Sequence, residues 1–213
     1  MAENSTVVTI ETPLGSFQMQ LLSDEAPNTV QNFLNYLERG AYNGTFFHRS
    51  VPGFVLQGGG FSYDSATNTA PPIAVDAPVA NEFGVSNLRG TVAMAKTASG
   101  PDTATSQWFV NLADNSGNLD NQNGGFTVFA RVIGDGMQVV DAIAALPTAN
   151  LGGTFSATPT INFTGTLNSS VFVTITSASV ASDPDFDGDG TPDSTDADDD
   201  NDGVPDVSDA FPL

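Results

Sequence analysis

The sequence predicts a mainly β protein whose strands close into an antiparallel barrel capped by helices. Many short runs alternate apolar and polar residues, and only two stretches carry the spacing of an amphipathic helix. The composition also changes near residue 183, after which the chain becomes strongly acidic. With 213 residues, the chain can form one domain with a sizeable core and a C-terminal extension.

The elements follow from alternation, helical spacing and turn residues. Strands are expected at 7–10, 17–21, 91–96, 106–112, 126–132 and 171–175, with a strand, a turn and a strand over 46–60. The first helix should begin at 24–27 and end at Gly40, and the second should cover 136–146. Loops should cover 60–90, the polar segment around Leu119, and 147–170, the last as a loop or irregular hairpin.

Charge and composition exclude several classes of protein. Five basic residues face 25 acidic ones, a net charge of −20, which repels nucleic acid and suits a cation-rich medium. Cysteine is absent, so neither a disulfide framework nor thiol chemistry is expected. No apolar run reaches the length of a membrane span, and the first residues carry no targeting signature.

The stretch 46–60 sets one arginine, Arg49, and one amide, Gln57, into a run of aromatic and aliphatic residues. A guanidinium beside apolar rings must be hydrogen-bonded or hydrated, because an unpaired buried charge is costly. One interpretation is a structural arginine that rests its stem on apolar surface at the rim of the sheet. The other is a donor held in a functional groove.

Several motifs then occur in one order along the chain. They are Phe46-Phe47-His48-Arg49, Pro52-Gly53-Phe54, Gln57-Gly58-Gly59, Gly90-Thr91-Val92-Ala93-Met94-Ala95, Ser106-Gln107-Trp108-Phe109, and Leu119-Asp120 followed by Val128-Phe129. With them, residues 5–180 resemble the cyclophilins, the peptidyl-prolyl cis/trans isomerases. The resemblance implies a closed eight-stranded antiparallel barrel with a helix closing each end. The segments 104–107 and 111–114 look closer to bacterial periplasmic members than to cytosolic eukaryotic ones.

The resemblance also implies the site. Arg49 would donate to the prolyl nitrogen, Gln57 would fix the substrate backbone, and Phe54 would complete this catalytic set. The substrate-binding residues implied are His48, Met94, Ala95, Lys96, Gln107, Phe109, Leu119 and Phe126. Because isomerisation transfers no proton, His48 is expected to pack and hydrogen-bond rather than act as a base, and no catalytic cofactor is expected.

Two residues and one segment depart from the family pattern. Asn118 stands where the family often has tryptophan, just before the Leu-Asp pair, and Trp108 stands where phenylalanine is usual. The segment from Lys96 to Asp102 is longer than in cytosolic members. In the family that tryptophan donates its indole N–H to cyclosporin, so we expect this chain to bind cyclosporin weakly.

The last 31 residues, 183–213, contain twelve aspartates and no Lys or Arg. Two runs place oxygen-bearing residues at the spacing of a calcium-binding loop, each with a glycine at the sixth position. The first run offers Asp185, Asp187, Asp189, Thr191, Asp193 and Asp196 as Ca²⁺ ligands, and the second offers Asp198, Asp200, Asp202, Val204, Asp206 and Asp209. The other interpretation of such a like-charge run is a disordered acidic tail.

These runs do not fit an EF-hand, because each has proline at its eighth position and no amphipathic helix beside it. They resemble the thrombospondin type 3 repeat, which folds around calcium without helices. Residues 183–213 are therefore expected to form a helix-poor extension with structural Ca²⁺.

Together the sequence predicts a periplasmic or secreted prolyl isomerase, monomeric, acting on proline-containing peptides and unfolded proteins. The alternative is a non-catalytic chaperone or a calcium-dependent adhesion module built on the same barrel. The intact set of Arg49, Phe54, Gln57 and Phe109 favours turnover.

Overall fold

A computed structural model describes residues 6–181, 197–198 and 203–205. The described residues up to Ser179 form one compact unit. The strands are β1 Val7–Thr12, β2 Gly15–Leu21, β3 Arg49–Val51, β4 Val55–Gly58, β5 Thr91–Met94, β6 Trp108–Asn111, β7 Val128–Ile133, β8 Thr148–Ala149, β9 Thr158–Pro159 and β10 Ser177–Val180. The helices are α1 Pro27–Glu38, α2 Ser116–Leu119 and α3 Gly136–Ala144, with two 3₁₀ turns at Gly153–Phe155 and Ser169–Val171.

Eight strands form one antiparallel sheet in the order β10-β1-β2-β7-β5-β6-β4-β3. Its first hairpin shows why the alternation in the sequence was informative. Ile10 pairs with Phe17 across the β1–β2 turn, and both side chains are buried. Residues of one face recur every second position along a strand, so Val8 and Ile10 of β1 point into the core together with Phe17, Met19 and Leu21 of β2.

Helix α1 covers one side of this core with an aromatic face. The Phe33 ring lies 5.2 Å from Tyr42, 5.0 Å from Phe129 and 6.4 Å from Trp108, measured between centroids. The helix ends near Gly40, whose φ of 67° is the left-handed conformation that commonly terminates helices.

The N-terminus of α1 is capped from a distant part of the chain. The sequence placed the helix start at Asp24–Pro27, but α1 begins at Pro27 and the residue before it makes no side-chain cap. The Glu82 carboxylate instead accepts hydrogen bonds from the backbone N–H groups of Asn28 (3.1 Å) and Thr29 (2.8 Å). It also accepts from the Asn28 amide at 2.7 Å and the Thr29 hydroxyl at 2.8 Å.

Glu82→Gln should destabilise the protein at neutral pH by about 1–2 kcal/mol, the range for losing a charged helix cap. Burial raises the pKa of Glu82, but its hydrogen bonds to Thr29 and Asn28 outweigh burial and hold the pKa below its ordinary value. A depressed pKa gives stability that is present above the unfolded-state pKa and lost as the pH falls through the folded-state value. Urea unfolding at pH 7 and at pH 3 measures this.

The exposed Glu11→Gln on β1 is the matched control and should change little at either pH. If the gap between parent and Glu82→Gln were as large at pH 3 as at pH 7, the cap would not act through its charge.

The remaining elements differ from expectation in two places. The polar segment around Leu119 contains the short helix α2, which is too brief to show a helical period in the sequence. The last ladder strand is β10, not 171–175. Residues 171–175 instead run beside the chain before β3: Phe47 N–H donates to the Val173 carbonyl at 3.0 Å, and Ile175 N–H donates to the Thr45 carbonyl at 2.7 Å. The expected irregular hairpin in 147–170 is present as β8 and β9.

Candidate active site

One row of side chains crosses four strands of the sheet. The turn at Pro52-Gly53 sets Arg49 on β3 opposite Gln57 on β4, and Gln57 in turn lies opposite Phe109 on β6. Phe109 pairs with Ala93 on β5, which continues the row. Directly paired residues share a face of an antiparallel sheet, so these side chains stand side by side.

Arg49, Gln57 and Phe109 of this row line a groove of about 240 Å³. Its lining residues are Arg49, Phe54, Val55, Gln57, Ala95, Lys96, Phe109, Leu119, Gln122 and Phe126. Apolar side chains form one part of it, where the rings of Phe109 and Phe126 meet edge to face with centroids 5.9 Å apart. The structure therefore brings an apolar pocket and polar donors into one place.

The polar side of the groove is a short chain of hydrogen bonds. Arg49 Nη1 donates to Gln57 Oε1 at 3.3 Å, and Gln57 Nε2 donates to Gln107 Oε1 at 2.9 Å. The Arg49 guanidinium carbon lies 5.9 Å from the centroid of the Phe54 ring. Within the part of the chain that the structure describes, no carboxylate forms an ion pair with Arg49. The hydrogen bond to Gln57 therefore orients the Arg49 guanidinium, and its other N–H groups can donate to a ligand.

The sequence profile of the family described as "Cyclophilin type peptidyl-prolyl cis-trans isomerase/CLD" matches residues 7–166. A peptidyl-prolyl cis-trans isomerase of Acinetobacter baylyi is 46% identical over 151 residues, which cover 70% of this chain and 77% of that protein. Peptidyl-prolyl cis-trans isomerase B of Escherichia coli is 42% identical over 152 residues, covering 68% and 88%. The chain belongs to the cyclophilin family.

Solved structures give the same fold. A cyclophilin-type isomerase from Cryptosporidium parvum has a TM-score of 0.64 at 23% identity, and the match covers 84% of this chain and 99% of that one. The crystal structure of that protein in the presence of the dipeptide Ala-Pro has a TM-score of 0.62 at 22% identity, covering 83% and 99%. At this identity the likeness concerns the fold.

Within this cyclophilin domain, Met94 does not line the groove, contrary to the sequence-based expectation. Its side chain is 1% exposed and belongs to the main core beneath the sheet. Its neighbours Ala93 and Ala95 face the groove side, and strand alternation sends Met94 to the opposite face. Val55, two residues before Gln57, occupies the pocket instead, and the same alternation could have identified it.

His48 is also displaced from the expected position. Its ring is fully buried against Phe61 (centroids 4.9 Å apart) and Phe155 (6.4 Å), outside the lining of the groove. Burial, and then the charge of Arg49, lower the pKa of His48 to about 4, so the imidazole is neutral at physiological pH. His48 therefore packs in the core as expected. Among the described residues neither ring nitrogen makes a hydrogen bond of good geometry, although the backbone of Phe46 lies close enough to favour the protonated ring weakly.

The two atypical family positions lie apart from each other. Asn118 is exposed on α2, and its side-chain oxygen accepts a hydrogen bond from the amide of Gln122, a groove residue that sequence reasoning missed. Trp108 is fully buried, and its ring makes edge contacts with Phe47 and Tyr42 in the core. Because Trp108 alternates with Phe109 along β6, it points away from the groove.

The proposed calcium ligands lie outside the described residues, except Asp198 and Val204. Asp198 Oδ2 accepts a hydrogen bond from Gly203 N–H at 2.9 Å. Across residues 6–181, 197–198 and 203–205, no group of three or more His, Cys, Asp or Glu side chains could hold a metal ion. No helix in the same residues is long and apolar enough to cross a membrane.

Proposed function

We propose that this cyclophilin accelerates cis–trans rotation about Xaa-Pro bonds, with Arg49 as the donor to the prolyl nitrogen. The peptide bond resists rotation with a barrier of about 18–20 kcal/mol, which arises from resonance. As the bond twists, the resonance is lost and the prolyl nitrogen gains a lone pair that can accept a hydrogen bond. A donor that waits at this position stabilises the twisted state more than the planar one.

The single observation that supports this mechanism is the row of Arg49, Gln57 and Phe109 beside the apolar pocket. The pocket would hold the proline ring, Gln57 would hold the backbone before it, and Arg49 would reach the nitrogen between them. The groove needs no proton transfer, which agrees with a neutral, buried His48. A non-catalytic peptide-binding module does not need a donor aimed at the prolyl nitrogen, so Arg49 beside the apolar pocket favours catalysis.

The decisive experiment is a proline-isomerisation assay on an Xaa-Pro peptide with the full chain. Uncatalysed isomerisation takes tens to hundreds of seconds. We expect the full chain to make it much faster. Binding of the peptide without acceleration would support a chaperone or adhesion module instead.

We also propose that the sheet closes into a barrel. In support, 171–175 pairs with the chain just before β3 and leads directly into β10, so the two end strands of the sheet are linked through these segments. Only five large apolar side chains are exposed in the described residues, among them Val75 and Leu88, and so few support a monomer. Sedimentation analysis tests the monomer.

We propose further that residues 183–213 bind Ca²⁺ as a thrombospondin type 3-like repeat, and that the protein is periplasmic or secreted. The support is the doubled ligand spacing with both glycines in register, together with the resemblance of 104–107 and 111–114 to periplasmic members. Fractionation of the host cell tests the location.

Calorimetric titration of the full chain should show uptake of about two Ca²⁺ ions, one per run, with Kd values near the 10⁻⁴–10⁻³ M typical of extracellular modules. A chain ending at Ser182 should take up none, and Asp187→Asn with Asp200→Asn should weaken both sites. The exposed Asp114→Asn is the control and should leave uptake unchanged. Equal uptake by the full and shortened chains would refute the calcium assignment. Isomerase activity should not depend on Ca²⁺, because the groove residues all lie between 49 and 126.

A further inference from the structure

We infer that Lys96 is a positioning residue that holds the Phe126 wall of the proline pocket, and that it makes no direct contact with the substrate. This inference rests on the proposed isomerase site and concerns how that site obtains its affinity. Lys96 lies just beyond the end of β5, at the rim of the groove, where the family resemblance had placed it among substrate-binding residues.

The ammonium of Lys96 has three N–H donors and three acceptors around it. It donates to the carbonyl of Asn123 at 2.8 Å, to the carbonyl of Gly125, and to the side-chain oxygen of Asn81 at 3.3 Å. A substrate carbonyl or carboxylate could bind this group only by displacing one of these partners. All three donors of the Lys96 ammonium are therefore used within the protein.

The segment 123–125 has a backbone that needs such support. Asn123, Gly124 and Gly125 have φ values of 48°, 77° and 77°, three successive residues in the left-handed region. L-residues visit this region mostly as single residues, and Asn123 has a side chain that makes it costly. Two of the three carbonyls in this segment accept hydrogen bonds from Lys96, which holds the turn in its observed shape.

Two asparagine side chains tie the same segment to its surroundings. Asn123 Nδ2 donates to the carbonyls of Thr97 at 3.0 Å and Gly100 at 2.9 Å. Asn81 Nδ2 donates to the carbonyl of Gly124 at 2.7 Å, while Asn81 Oδ1 accepts from Lys96. Lys96 thus lies at the centre of a network that joins three loops.

Phe126 follows this segment directly, so its position depends on the network. Its ring centroid lies 4.7 Å from the Lys96 nitrogen and 5.9 Å from the centroid of the Phe109 ring. An ammonium near an aromatic ring is attracted by the ring's π electrons, which adds a direct restraint. Removing the charge should therefore loosen one wall of the proline pocket while leaving Arg49 and Gln57 in place.

The test compares Lys96→Met with the parent on a neutral Xaa-Pro peptide and on the same peptide with an aspartate beside the Xaa residue. Methionine keeps an unbranched apolar side chain but removes all three donors. We expect KM to rise about tenfold for both peptides with kcat within about twofold, the pattern for weaker uniform binding. Lys96→Arg should restore most of the affinity, because a guanidinium can donate to the same carbonyls.

Arg89→Met is the matched control. Arg89 is also a partly exposed cation that bonds a backbone carbonyl, that of Leu112, and it lies outside the groove lining. The Arg89→Met variant should have the KM of the parent. If Lys96→Met does not fold, Asn123→Gly keeps the left-handed backbone, removes two of the tethers and should raise KM in the same way.

Three outcomes would overturn the inference: an unchanged KM, a loss confined to kcat, or a loss confined to the aspartate peptide, which would show direct contact. If the parent itself does not accelerate isomerisation, the proposed function is wrong, but this result does not decide the role of Lys96. Titration of a neutral, N-acetylated Ala-Pro amide, followed by NMR, then tests Lys96 without turnover, and weaker binding by Lys96→Met than by the parent is expected.

Discussion

Arg49→Ala should lower kcat/KM on an Xaa-Pro peptide by about a hundredfold to a thousandfold, the range for removing one preorganised donor to a transition state. The loss should fall mainly on kcat, because the prolyl nitrogen accepts a hydrogen bond only when the bond is twisted. Stability should change little, since Arg49 is only partly buried and its only side-chain hydrogen bond within the described residues is the 3.3 Å contact to Gln57.

Two further variants sharpen this experiment. Arg49→Lys should recover only part of the rate, because a point charge cannot reproduce the planar fork that donates to Gln57 and to the nitrogen together. Arg131→Ala removes an exposed cation on β7, outside the groove lining, and should keep parental activity. Parental kcat/KM in Arg49→Ala would eliminate the mechanism, even if the chain remained an isomerase.

Local sequence determines part of this site. A strand, a tight turn at Pro52-Gly53 and a second strand fix which residues face each other, so the pairing of Arg49 with Gln57 follows from their equal distance to the turn. Alternation also separates the two faces of each strand, so it places Met94 in the core and Val55 on the groove face. The family motifs identified the right strands but not the direction of every side chain.

Other features depend on partners that are far apart in the sequence. Gln57 meets Phe109 only because β4 pairs with β6, and the register of that pairing has no local signal. The cap of α1 is Glu82, more than fifty residues from the helix start, so nothing in the sequence around Pro27 indicates it. Nothing in the stretch around His48 indicates that Phe155 will cover its ring.

The cyclosporin prediction depends on Asn118. Cyclosporin should bind this chain about 30- to 1000-fold more weakly than it binds a family member with tryptophan at this place. The missing interaction is one buried aromatic contact with its N–H donor, about 2–4 kcal/mol in the range of interface hot spots. Asn118 offers an amide but no apolar ring, and its side-chain oxygen is occupied by Gln122.

Trp108 cannot replace the missing ring, because it is fully buried and packs against Phe47 and Tyr42 on the opposite face of β6. Trp108→Phe should therefore leave cyclosporin affinity unchanged, whereas Asn118→Trp should raise it at least tenfold with little effect on turnover. Asn118→Ala controls for loss of the contact with Gln122 and should bind no better than the parent. Inhibition of the unmodified chain at nanomolar cyclosporin would mean that another groove residue supplies the contact, and Asn118→Trp would then bring no gain.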